Sequence, residues 1–302
     1  FSFGIIASRL TEFRKRVNEL NIEKNIGKLS LRNDGELELF FIGTGSAFAK
    51  TLFQTNFLII KGNTHILVDF GTTGVAALRE MTGLEATDIE VVLPTHSHSD
   101  HIGGMEALAL MNRYVGRRFL DKPKLKMIIT KDYQKQLWDE TLKGSLAYNE
   151  ISNNPSGFLS FAHFFDIVRP SLKRNKNRQI FKVNYQGISL ELFRTFHIPE
   201  GADSWRTSMI SYGLFIDNRV FFSGDTQFDQ EIIDIYADRS EVMFQDVQFF
   251  TGGVHVSQEE LQVLPSEIKN KMMLVHYNDA WSQNDISDFG GWCQQGVRYV
   301  FP

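Results

Sequence analysis

Thr95-His96-Ser97-His98-Ser99-Asp100-His101 concentrates three imidazoles and a carboxylate within six residues. Groups packed so densely desolvate and repel one another for no gain unless a cation binds them. Neutral imidazole nitrogen and carboxylate oxygen are the donors that suit zinc and similar divalent ions. The apolar run Val91-Val92-Leu93 just before it predicts a buried strand, so the cluster stands on the loop leaving a strand end. In an extended loop His96 and His98 point one way, while Asp100 and His101 turn toward a second point. That division serves two adjacent metals better than one. A merely solvated polar loop gives no reason for such a density of ligands.

Outward from this loop, strands and helices are dealt out twice, in two comparable halves. Leu37–Ile42, Asn56–Lys61, His65–Phe70 and Glu90–Leu93 predict strands, with a hairpin around Gly62-Asn63. A helix is expected over Met105–Tyr114, a strand over Lys126–Thr130, and helical structure over Asp132–Leu142. The second half opens with Ile180–Tyr185 and Ile188–Phe196 around Gln186-Gly187, then Ser211–Ile216 and Arg219–Ser223 around Asp217-Asn218. Glu241–Gln245, a helix near Glu259–Leu264 and the strand Met272–Val275 complete it. Residues 1–30 differ: Phe3, Ile6, Leu10, Phe13, Val17 and Leu20 recur at spacings of three and four, one apolar stripe down an amphipathic helix. The predicted organisation is therefore an amino-terminal helical extension over 1–30 and a main domain over 36–302. The extension either lies on that domain or pairs with its own copy in a dimer.

Composition excludes several function classes. With 32 Lys and Arg against 36 Asp and Glu, the chain lacks the whole-protein basic field that grips long nucleic acid. Cys293 is the single cysteine, so neither an intramolecular disulfide nor a thiolate zinc cluster is available, and a reducing cytoplasm is the expected compartment. No apolar run approaches the ~20 residues needed to span a bilayer, and no membrane partner is expected. Phe1–Ala7 is too short, and too bare of flanking basic residues, to predict a signal peptide.

The segment 96–101 matches the HxHxDH motif of the metallo-β-lactamase superfamily, and the resemblance runs from about Leu37 to the carboxyl terminus. It implies an α/β fold, the four-layer αβ/βα metallo-β-lactamase sandwich, with the metals at one edge between the halves. The resemblance also supplies the remaining ligands, each closing a predicted strand. His197 looks like the third histidine of the first metal, beside His96 and His98. Asp225 resembles the bridging aspartate shared by both ions, and His276 the last ligand of the second, beside Asp100 and His101. Two divalent ions are implied, zinc first, with manganese or iron as alternatives. Asp69 resembles the aspartate that braces the site from behind, and Gly43–Ser46 the first glycine loop near the metals. His65 and His163 read as structural.

His255 precedes Ser257-Gln258-Glu259-Glu260, which has the form of a capping box, so it stands just ahead of a helix start. In the phosphodiesterase branch, similar to the tRNA 3′-processing endonucleases, a histidine there protonates the leaving oxygen and an acidic residue supports it. His255 and Asp246 occupy those places, and with Asp100 they form the expected catalytic set. The implied mechanism is attack on phosphorus by a hydroxide bridging the two ions.

Two branches compete. Leu274–Asp279 and the Ser223–Thr226 step resemble the tRNA processors, but the Pro-x-Lys-x-Arg-Asn stretch of that group is replaced by Ala47–Asn56. Ala47-Phe48, Gln54-Thr55-Asn56, Ser211–Phe215 and Asp225–Phe228 are similar to the anti-Pycsar cyclic-nucleotide phosphodiesterases and their bacterial relatives. That resemblance implies a homodimer acting on a small phosphoester, and 3′,5′-cyclic nucleotides are the favoured substrate. RNA is the alternative, for which Lys173, Arg174, Lys176 and Arg178 offer a basic cluster. Trp138, Tyr148 and Phe158, in a region that matches neither branch, are candidates for base stacking. A scaffold that has lost its chemistry is disfavoured by the full ligand set. A flavin-linked diiron enzyme is disfavoured because such proteins usually carry a carboxylate within the motif where His98 or its neighbours stand, and a flavin domain as well.

Overall fold

The structure, a computed structural model, describes residues 20–25, 27–173 and 177–302. Sixteen strands form two eight-stranded sheets among the described residues. The first contains β1 (Asn21–Lys24), β2 (Leu37–Gly43), β3 (Asn56–Lys61), β4 (Thr64–Val68), β5 (Val91–Leu93), β6 (Lys126–Ile128) and β7 (Asp166–Val168). The second contains β8 (Ser171–Lys173), β9 (Ile180–Tyr185), β10 (Ile188–Arg194), β11 (Tyr212–Ile216), β12 (Val220–Phe222), β13 (Val242–Asp246), β14 (Met272–Val275) and β15 (Gly291–Trp292). The last strand, β16 (Val297–Phe301), returns to the first sheet between β1 and β2. Each sheet is antiparallel in one half and parallel in the other. β4 through β7 run parallel, as do β12 through β15.

Period-two alternation sorts the second sheet's side chains onto two cores. Leu190, Leu192, Leu214, Ile216, Phe222, Phe244 and Val275 enter the core shared with the first sheet. Their neighbours Phe193, Phe215, Phe221, Met243 and Leu274 enter a separate core on the far face. The two sheets meet through aromatic rings: Phe41 lies 4.7 Å from Phe244, and Phe57 4.8 Å from Phe222. Helix Gln230–Tyr236 covers the far face, its start fixed by the Asp229 carboxylate, which accepts from Ile232 N. Its Tyr236 packs 4.6 Å from Phe193 and 4.9 Å from Phe215. Helix Gly74–Thr82 packs against β2 of the first sheet. Helix, sheet, sheet, helix is the αβ/βα order expected from the motif.

One boundary differs from the sequence expectation. Residues 1–19 of the amino-terminal helix lie outside the described residues, as do Arg174 and Lys176 of the basic cluster. Residues 21–24, assigned to that extension, form the strand β1, which pairs antiparallel with β16 from Asn21↔Val300 to Lys24↔Val297. All four are exposed, so β1 joins the sheet through its backbone and carries no apolar face that the sequence could display. Leu29, also before residue 36, is buried in the main core.

Candidate metal centre

Parallel pairing brings several strand ends to one edge of the sandwich, and the site is built from the residues that leave them. Asp69 follows β4, His96 through His101 follow β5, His197 follows β10, Asp225 follows β12, Asp246 ends β13 and His276 follows β14. Asp69 and His276 take left-handed backbone, φ 59° and 60°, which turns the chain sharply off its strand. Gly224, at φ 59°, has no such freedom to carry a side chain: a Cβ there would sit 2.4 Å from the Tyr212 carbonyl.

The predicted ligands converge as two groups that share one carboxylate. In the first, His98 Nδ1 lies 3.1 Å from both His96 Nε2 and His197 Nε2. Asp225 Oδ2 stands 3.7 Å from each of those two Nε2 atoms. In the second, the same Oδ2 lies 3.2 Å from His101 Nε2 and 3.4 Å from His276 Nε2. Asp100 Oδ2 lies 3.3 Å and 3.6 Å from these. Donors held about 2.0–2.2 Å from one tetrahedral ion stand roughly 3.3 Å apart, so both groups are spaced to hold one. Three atoms at the junction, His101 Nε2, Asp225 Oδ2 and His276 Nε2, are buried without a hydrogen-bond partner. Buried polar atoms are rarely left so, and these converge on one another. The residues fit metal cations.

Protonation agrees with a ligand role. Burial pulls His96 well below the ordinary histidine range, His197 down to about 3 and His276 down to about 4. These imidazoles are neutral, the form that coordinates. Burial would raise the Asp225 carboxyl, but His101 first and then His276 hold it well below the usual range. His101 goes the other way: burial opposes its charge, yet Asp225, Asp100 and Asp69 together push it well above. In the metal-free cluster its proton sits among three carboxylates, where a cation would otherwise supply the charge.

The outer nitrogens settle which face each imidazole presents. His101 Nδ1 donates to Asp69 Oδ2 at 2.8 Å, and His197 Nδ1 to the Val254 carbonyl at 2.8 Å. The Thr95 hydroxyl spends its proton on Asp69 Oδ2, so its oxygen accepts from His96 Nδ1 at 3.1 Å. The Thr55 hydroxyl donates to the Gly45 carbonyl, so its oxygen accepts from His276 Nδ1, also at 3.1 Å. All four rings therefore carry hydrogen on Nδ1 and turn Nε2 inward, as a lone pair on the neutral His96, His197 and His276. Asp69 takes bonds from His101 Nδ1 and the Thr95 hydroxyl, across the His101 ring from Asp225. Thr95, Thr55 and the Val254 carbonyl escaped the sequence reading. Thr and a backbone carbonyl carry no motif signal, and Thr55 stood out only within the Gln54-Thr55-Asn56 resemblance.

His255 and Asp246 also meet. His255 Nδ1 donates to Asp246 Oδ2 at 2.8 Å and lies 4.0 Å from Asp225 Oδ2. The ring is 21% exposed, more open than the buried His96, His101, His197 and His276, and with Nδ1 engaged its second ring nitrogen is Nε2. Burial raises Asp246 to about 6, and Thr226 N and Gln245 Nε2 donate to its carboxylate, each at 3.2 Å. Burial disfavours the charge on His255, but the Asp246 bond and the nearby carboxylates raise it. The loop before His255 is pinned where Gly253 N donates to Glu200 Oε1 at 3.2 Å. The predicted capping box at Ser257 and Glu260 closes it.

Other predicted residues stand apart from this cluster. Trp138 packs on Phe161 and Phe164, and Tyr148 on Phe158. His65 accepts from Glu90 N, and His163 bonds Ser160 and Ser152. Arg178 is buried and paired with Asp229 and Glu231 at 2.7 and 2.6 Å.

Comparison with known proteins agrees with this architecture. The profile of the family described as "Anti-Pycsar protein Apyc1" matches residues 37–299. The chain is 33% identical over 248 residues to the Anti-Pycsar protein Apyc1 of Bacillus phage BSP38, covering 80% of this chain and 89% of that one. It is 34% identical over 258 residues to the protein of that name from Paenibacillus sp. (strain J14), covering 84% and 93%. Among solved structures it is similar to the metallo-β-lactamase fold protein YhfI from Bacillus subtilis, with TM-score 0.61, 14% identity, and 88% and 100% of the two chains covered. Human tRNase Z, short form, follows at TM-score 0.58 and 14% identity, with 88% and 99% covered. A diphosphatase from the PhnP family gives TM-score 0.57 and 11% identity, with 88% and 98% covered.

Proposed function

The chain belongs to the anti-Pycsar Apyc1 family, and on that premise we propose that it is a dinuclear metal-dependent phosphodiesterase that hydrolyses 3′,5′-cyclic nucleotides. The observation that carries this reading is the pair of four-residue ligand groups sharing Asp225, with the His255–Asp246 pair against them. When bound, two divalent ions, zinc first with manganese or iron as alternatives, supply Lewis-acid charge and activate water. His96, His98 and His197 would hold one ion, Asp100, His101 and His276 the other, with Asp225 contributing to both groups. Asp69, Thr95, Thr55 and Val254 keep the imidazoles turned inward. As a water oxygen bonds phosphorus and releases a proton to solvent, the bond from phosphorus to the sugar oxygen would break and His255 would give that oxygen a proton while Asp246 holds the ring.

A small substrate is favoured over RNA by the fate of the basic cluster. Of its two described members, Arg178 is spent on buried ion pairs and only Lys173 is exposed. The family reading also carries a homodimer and a cytoplasmic setting. Among the described residues no helix is long and apolar enough to cross a membrane.

The test is chromatography of zinc- or manganese-loaded protein after incubation with purine and pyrimidine 3′,5′-cyclic nucleotides, beside an Asp225→Ala control. Linear nucleotide that disappears in the control supports the reading. Survival of every cyclic nucleotide, with precursor tRNA cut instead, moves the assignment to tRNA 3′ processing.

A further inference from the structure

We propose that Phe48 is the platform on which the base of the nucleotide substrate stacks, an inference that rests on the cyclic-nucleotide reading. Phe48 is 90% exposed, the most exposed large apolar side chain among the described residues. It stands on the connection between β2 and β3, which runs along the edge of the sandwich that carries the metal centre. Ser46 N donates to the carbonyl of Tyr277, the residue after His276, at 3.0 Å. Thr55, at the other end of the loop, bonds His276 itself. With consecutive Cα atoms about 3.8 Å apart, the Phe48 Cα lies no more than about 7.6 Å from that of Ser46, whose N–H meets the residue after His276.

The loop is also fixed on both sides of the ring. Gln54 Nε2 donates to the Ala47 carbonyl at 3.3 Å, while Gln54 Oε1 accepts from Thr73 N at 3.0 Å. The Asp279 carboxylate accepts from Lys50 N and Thr51 N, both at 2.9 Å, and from the Thr51 hydroxyl at 2.6 Å. Asp279 follows His276 by three residues, so one segment supplies both a ligand and the clamp on this loop. A phenyl ring in water forgoes burial, and a rigid mount keeps it from folding back onto the protein. Such a ring, on a loop tied at both ends to the segment that carries His276, offers a π face at low ordering cost. Stacking is tolerant of base identity, because every base has a π face, so the platform predicts broad base acceptance.

The test compares each 3′,5′-cyclic nucleotide with the abasic 3′,5′-cyclic phosphate of methyl riboside, using the full-length metal-loaded enzyme. Phe48→Ala is expected to reduce the preference for nucleotide over abasic ring by roughly 5- to 100-fold, chiefly through KM. Phe48→Trp should restore it. Phe119→Ala, which removes another exposed phenyl ring far along the chain, should leave the preference unchanged. An unchanged preference in Phe48→Ala overturns the platform. So does an equal loss on both substrates with a change from dimer to monomer, which would assign the ring to a second copy. If the unmodified enzyme opens no cyclic nucleotide, the reading beneath fails first and the platform falls with it.

Discussion

Replacing His255 with alanine separates proton delivery from metal binding. The ring meets Asp246 through Nδ1 at 2.8 Å, so Nε2 is the nitrogen left to deliver a proton. Removing a positioned general acid costs about 10²- to 10⁴-fold when the leaving group needs its proton. A sugar alkoxide does; p-nitrophenolate does not. His255→Ala should therefore lower kcat on a cyclic nucleotide by about 10²-fold or more, and on bis(p-nitrophenyl) phosphate by less than about tenfold. Asp246 would keep its bonds from Thr226 N and Gln245 Nε2 but lose its cationic partner. Its carboxyl, already raised to about 6 by burial, would rise further and bind a proton near neutrality. That limits the stability cost of the substitution, so the folded enzyme should be recovered. The assay is kcat on both substrates with metal content measured on the same preparation. An equal loss on both substrates, or a lost ion, refutes the assignment and makes His255 a ligand.

Other outcomes follow from the same geometry. Thr55→Val removes the oxygen that accepts from His276 Nδ1, and should weaken the second ion by about 10- to 100-fold in chelator competition, with Thr55→Ser retaining it. In metal-free protein, His197 and His276 stay neutral down to about 3 and 4 but titrate near 6.5 once unfolded, so the unfolded chain binds more protons in that window. The urea midpoint of stripped protein should fall as pH drops from 6.5 toward 4, each histidine contributing about 1.4 kcal/mol per pH unit, offset in part by Asp246, and a flat profile would contradict this. Phe41 contacts Phe57, Phe244 and Tyr299 at 4.8, 4.7 and 5.8 Å between the sheets, so Phe41→Ala should cost about 3–5 kcal/mol by urea denaturation.

The elements legible in the sequence are those that bury a face. β3, β10 and β14 alternate or run apolar because both sides meet a core, and the strand assigned to Met272–Val275 is β14 itself. β1, β7 and β8 are edge strands, exposed along most of their length, and their pairing lives in the backbone, where side chains leave no pattern. The helices expected over Met105–Tyr114 and Asp132–Leu142 each pass into a π-helical turn, at Asn112–Gly116 and Trp138–Leu142, a change of hydrogen-bond register that composition does not encode. At the site, charged and imidazole residues were conspicuous because their density is costly without a cation. Thr55 and the Val254 carbonyl act through groups that every sequence contains in abundance, so only the folded geometry exposes them.

If two ions sharing Asp225 create the activity, metal-stripped protein titrated with zinc should bind two ions per chain, with ring opening of a cyclic nucleotide, measured on the same samples, following the filling of the second. Asp225→Ala should bind less metal and open no ring. Saturation at one ion with full activity, or activity in stripped protein, would contradict it.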